Sequence, residues 1–61
     1  MTTSPLMTTA EVAKYTRLSV ETLRYFRQRD EGPPFAKLGR RVMYRRRDVD
    51  AWIESSVVIA R

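Results

Sequence analysis

The stretch "SVETLRYFRQRDEGPP", residues 19–34, holds the side chains whose types and spacing suit chemistry on another molecule. At 100° per residue, Leu23 and Phe26 share one edge of a helix. Glu21, Arg24, Tyr25 and Gln28 project from the opposite side, and Arg27 and Arg29 lie on the flanks. Guanidinium, amide and hydroxyl groups arrayed this way suit hydrogen bonds to base edges and phosphate oxygens. A merely solvated helix, the plainer alternative, more often shows mixed Glu and Lys pairs.

Composition narrows the chemistry further. The 61 residues make one small domain, near the lower limit for a self-sufficient core. Without cysteine there is no disulfide and no thiolate metal site, and without histidine the commonest general base is missing. A nucleophile–base pair would have to come from Ser, Lys and carboxylates alone, so an enzyme is the least favoured class and no cofactor or metal is expected. Twelve Lys and Arg face seven Asp and Glu, a net charge of +5, and ten of the twelve cations are arginine. Guanidinium forks match phosphate and guanine edges better than solubility requires. No apolar run reaches membrane-spanning length and no signal-peptide core opens the chain, so the expected setting is the cytoplasm, with no membrane partner.

The elements that must position the arginines can be read from their caps. Residues 1–5 are polar and expected to be a flexible N-terminus, ahead of a domain over 6–55 and a tail over 56–61. Thr8 as N-cap puts Glu11 at the third helical position, a capping box, with Met7 and Val12 placed as a hydrophobic staple. The first helix is expected over about 9–15, with Val12 and Tyr15 inward and Ala13 allowing close packing. Ser19 repeats the signal, with Leu18 and Leu23 as its staple. Two short helices joined by about four residues have helix-turn-helix spacing.

Gly32 is the expected C-cap of the second helix, and Pro33 and Pro34 cannot continue it. Residues 35–38 and 42–45 then read as a two-stranded hairpin around a Gly39-Arg40 turn, with Arg40 and Arg41 at its tip. Val49, Trp52 and Ile53 mark the buried stripe of a third helix, with Asp48 and Asp50 in its first turn and Trp52 in the core. Arg45, Arg46 and Arg47 surround the strand-to-helix joint. Three readings of the apolar tail stay open: frayed, an extension of the helix, or a contact for another protein.

With these residues placed, the chain resembles the excisionase-type winged helix-turn-helix proteins, relatives of the MerR and AlpA DNA-binding domains. "MTTAEVAKYTRLSVETLRYF" is similar to the opening of MerR-like domains, and "KLGRRVMYRRRDVDAWI" to the excisionase wing and closing helix. The resemblance covers about residues 6–54. It implies a mostly α fold with a small β-hairpin, a second helix in the major groove, and a wing on the minor groove or backbone. It makes Arg24, Tyr25 and Gln28 groove-facing and Arg40 and Arg41 wing contacts. Arg47 departs from the small capping residue usual before Asp48. The coiled coil and effector domain of full MerR regulators are not matched, which implies a stand-alone factor.

The expected contact set is therefore Glu21, Thr22, Arg24, Tyr25, Arg27 and Gln28 on the helix, and Lys37, Arg40, Arg41, Arg45 and Arg46 on the wing and its flanks. Thr8, Thr9 and Ser19 join them as phosphate contacts at helix N-termini. The resemblance implies double-stranded DNA as partner, further copies of the chain beside it, an integrase, and an excisionase role in a bacterial nucleoid. A small AlpA-like transcription regulator, and an adaptor that docks an acidic protein without binding DNA, remain the alternatives.

Overall fold

Thr8 both ends strand β1 (Leu6–Thr8) and caps helix α1 (Thr9–Thr16) in the computed structural model, which describes residues 5–57. Its hydroxyl accepts the Glu11 N–H at 3.1 Å, and its own N–H donates to the Glu11 carboxylate at 2.8 Å. The expected capping box is formed, and the staple residues Met7 and Val12 are both buried. Arg17, at φ 65°, turns the chain out of α1. Ser19 then accepts the Thr22 N–H at 3.0 Å and caps helix α2 (Val20–Gln28). Leu18 packs on the core beside the fully buried Leu23.

The end of α2 differs from expectation. Asp30, not Gly32, takes the left-handed conformation that closes the helix, at φ 59°. The Glu31 N–H reaches the Phe26 carbonyl at 2.8 Å and the Asp30 N–H reaches the Arg27 carbonyl at 3.3 Å. These two bonds form a Schellman-type end. Aspartate tolerates this backbone well enough to end the helix two residues early. Gly32, at φ 79°, serves another purpose, because a Cβ there would stand 2.9 Å from the Cβ of Phe26.

The hairpin pairs strand β2 (Ala36–Leu38) with strand β3 (Arg41–Arg45), Leu38 opposite Arg41. Gly39 takes φ 64° and Arg40 no positive φ, as a type II′ turn requires. The ribbon is three-stranded rather than two-stranded. β1 pairs antiparallel with β3, Met7 opposite Tyr44, in the order β1-β3-β2. A two-stranded ribbon is marginal in water, and the third strand gives β3 partners on both sides. Of the N-terminal segment 1–5, Pro5 lies within the described residues, and its carbonyl accepts the Arg46 N–H at 2.8 Å.

Helix α3 (Arg46–Ser55) follows β3 directly. Its N-cap is Arg45, not Arg47, and no side chain caps it. Instead the Arg45 Nε donates to Asp48 at 2.6 Å. Asp48 lies in the first turn as expected, whereas Asp50 lies beyond it, because the helix starts earlier than the sequence suggested.

Met7, Val12, Ala13, Leu23, Tyr44 and Val49 form the core, with Leu18, Phe26, Val42 and Ile53 packed against it. Two aromatic expectations are corrected. Trp52 is only partly buried and sits at the rim, its ring edge-on to Phe26 at 6.1 Å. Tyr44, 1% exposed, is the large side chain that closes the core. Tyr15 does not point inward. It is 42% exposed and donates its hydroxyl to Asp50.

Candidate nucleic-acid interface

Helix α2 has nine residues, and an α-helix with its side chains, about 10–12 Å across, fits the ~12 Å width of the DNA major groove. Its inner edge is Leu23 and Phe26, and Glu21, Arg24, Tyr25 and Gln28 are all exposed on the other side, as the periodicity requires. Among the described residues the side chains of Glu21, Arg24 and Gln28 have no hydrogen-bond or ion-pair partner, so their polar atoms are available. Tyr25 is 52% exposed, with the Arg29 guanidinium 5.2 Å from its ring centroid. Thr22 and Ser19 are engaged with one another instead. The Ser19 hydroxyl donates to Thr22 Oγ1 at 2.8 Å while accepting the Thr22 N–H.

Arg27 lies on the flank and turns toward the sheet. Its Nη1 donates to Tyr44 Oη at 2.9 Å and, at the longer distance of 3.4 Å, to Thr9 Oγ1. The guanidinium carbon also stands 5.8 Å from the centroid of the Phe35 ring. Three elements thus meet at one side chain: α2, the start of α1, and the wing.

On the wing, Lys37, Arg40 and Arg41 are exposed, and their side chains make no bond within the described residues. The cations of the joint behave differently. Arg45 is paired with Asp48, and Arg46 lies 4.0 Å from Asp50 with its guanidinium carbon 4.8 Å from the Tyr15 ring centroid. Arg47, left out of the expected contact set, is the exposed cation of the joint whose side chain has no partner among the described residues. A strict count along α3 from Arg45, with the acids at its third and fifth positions as partners, would have separated Arg47 from its neighbours. At the first helix, Thr8 is engaged in its cap and Thr9 accepts from Arg27.

The structure therefore brings available cations onto one scaffold, Arg24 on α2, Lys37, Arg40 and Arg41 on the wing, and Arg47 at the start of α3. The threonines, Ser19, Arg27, Arg45 and Arg46 hold that scaffold together. Among the described residues, no three or more His, Cys, Asp or Glu side chains gather to hold a metal ion. No described helix is long and apolar enough to cross a membrane.

No curated protein matches the chain. The helix-turn-helix domain model matches residues 6–57, every element from β1 through α3, and on that match the chain belongs to the helix-turn-helix domain family.

Proposed function

We propose that this protein is a sequence-specific, DNA-binding architectural factor of the excisionase type, acting on double-stranded DNA in the bacterial cytoplasm. Membership of the helix-turn-helix family supports the DNA-binding role. The observation that carries the reading is the availability of two separate sets of polar side chains. Arg24, Tyr25 and Gln28 stand exposed on a groove-sized helix, and Arg40 and Arg41 stand exposed at a hairpin tip. In this reading α2 enters the major groove, where Arg suits the O6 and N7 of guanine and Gln suits adenine. The wing arginines approach the neighbouring minor groove or its phosphates. No chemistry occurs on the chain. Bound side by side, copies would bend attachment-site DNA and help an integrase assemble the excisive complex.

Salt dependence tests the DNA-binding step. Neutralising about four to six phosphates gives a slope of log K against log salt of roughly −4 to −5, and a slope near zero would reject DNA as the partner. A circular-permutation mobility assay, followed by recombination with the integrase of the source element, tests the architectural step. Bending together with stimulated excision supports the excisionase reading. A straight duplex with altered promoter output would favour a small transcription regulator instead.

A further inference from the structure

Arg27 sits where a groove-contacting arginine would be expected, yet its geometry is that of a brace. The backbone of α2 packs mainly on α1, whereas the wing strands pack on one another, on α1 and on α3. The recognition helix and the wing thus reach each other mainly through side chains. Arg27 supplies a polar link between them, because its Nη1 donates at 2.9 Å to the hydroxyl of Tyr44, a residue 1% exposed and next to last in the central strand. The same guanidinium lies over Phe35, just ahead of the other wing strand, and touches Thr9 at the first turn of α1.

A hydrogen bond from a guanidinium to a fixed, buried hydroxyl is directional, and the partner here cannot swing to follow it. Leu23 and Phe26 fix how deeply α2 sits, but apolar contacts permit rolling and sliding that a directed bond does not. We propose that Arg27 is a positioning residue that sets the angle between the recognition helix and the wing through Tyr44, and that it acts on DNA binding by this route and not as a phosphate contact. The inference rests on the DNA-binding reading above. A duplex that must be gripped in two grooves at once rewards a fixed angle, since the second contact then forms at high effective concentration.

Tyr44→Phe is the cleanest probe, because it keeps the ring in the core and the charge on Arg27 while removing the acceptor. Affinity for the best-bound duplex should fall about 3- to 10-fold, the range set by one net hydrogen bond. The wing should also lose its hold. Replacing Arg40 and Arg41 with alanine should weaken binding by a smaller factor in the Tyr44→Phe background than in the parent. Arg27→Met keeps the stem packed over Phe35 and serves as a second probe, and it too should weaken binding, with the same salt slope as Tyr44→Phe. Parental affinity and wing dependence in Tyr44→Phe, both measured well below the melting temperature, would overturn the brace. A slope smaller by about one in Arg27→Met than in Tyr44→Phe would also overturn it, because Arg27 would then neutralise a phosphate. Failure of the parent protein itself to bind duplex DNA would instead reject the underlying reading, so the two failures are distinguishable.

Discussion

Tyr15 donates its hydroxyl to Asp50 at 2.6 Å and ties the end of α1 to the middle of α3 across 35 residues of sequence. Arg46 stacks on the same ring and lies 4.0 Å from the same carboxylate, so phenol, carboxylate and guanidinium form a three-membered clasp. The clasp is partly exposed, which limits what each contact contributes. Tyr15→Phe removes the hydrogen bond and keeps the ring under Arg46. It should cost about 0.5–1 kcal/mol, a fall in Tm of roughly 2–8 °C for a domain of this size. A thermal melt superimposable on the parent would show that solvent replaces the bond without loss.

The two glycines separate backbone strain from steric conflict. Both lie at positive φ, but a Cβ at Gly39 meets nothing within 4 Å, whereas one at Gly32 comes 2.9 Å from Phe26. Gly39→Ala should therefore cost only the left-handed penalty, about 1–2 kcal/mol. Gly32→Ala adds overpacking against a core-lining ring and should cost about 1–3 kcal/mol more. Urea titration of both variants checks the ordering, and equal midpoints would mean that Phe26 moves aside freely.

The N-caps of α1 and α2 and the turn were legible in the sequence because they are local. Thr8 with Glu11, Ser19 with Thr22, and the Gly39-Arg40 turn each depend on residues three or fewer apart, and each formed as expected. Strand β1 was not legible. Leu6–Thr8 is a three-residue strand whose partner, Met43–Arg45, lies more than thirty residues away. Its buried residue, Met7, fits a hydrophobic staple equally well, so its burial does not signal a strand. The α2 face followed from helical period, since Glu21, Arg24, Tyr25 and Gln28 emerge together on any regular helix. The same period puts Arg27 one turn after Leu23, toward the inner side, but its partner Tyr44 is fixed only once the sheet has packed.

Trp52 and Tyr44 exchange the roles that size alone suggests. Periodicity placed Trp52 on the inner stripe of α3 correctly, but the stripe reaches the core fully only at Val49. Trp52→Ala should therefore cost about 2 kcal/mol, less than the ~3–5 kcal/mol typical of a fully buried aromatic. Tyr44→Ala should reach that larger range. A 61-residue domain has only ~3–9 kcal/mol of stability in all, so that variant should lose at least about a third of it and melt well below Trp52→Ala. Far-UV circular dichroism of the pair checks the contrast, and the reverse ordering would place the structural weight on the rim.

On the helix face, specificity should separate from affinity. Arg24→Ala or Gln28→Ala should each cost about 1–3 kcal/mol on the best-bound duplex and far less on random sequence, as base-edge contacts do. Competition binding against a mixed-sequence duplex measures the difference. Equal losses on both would make these side chains phosphate contacts and would turn the reading face around the helix axis.

The wing tip should show the opposite profile, indifferent to folding and sensitive to DNA. Arg40 and Arg41 are exposed and bonded to nothing among the described residues through their side chains, so replacing both with alanine should change stability by under about 0.5 kcal/mol each. The type II′ turn depends on Gly39 and the pairing of Leu38 with Arg41 on backbone bonds, and neither needs a guanidinium. On DNA the balance shifts, because an arginine in a narrow, A·T-rich minor groove meets enhanced negative potential. The double variant should melt like the parent and bind weakly, with its largest loss on duplexes that are A·T-rich one groove away from the helix site. Its salt slope should fall by roughly two if both arginines neutralise phosphates, and by less if they lie in the groove among bases. Parental binding on every duplex would make the hairpin a clasp for the core and leave recognition to α2 alone.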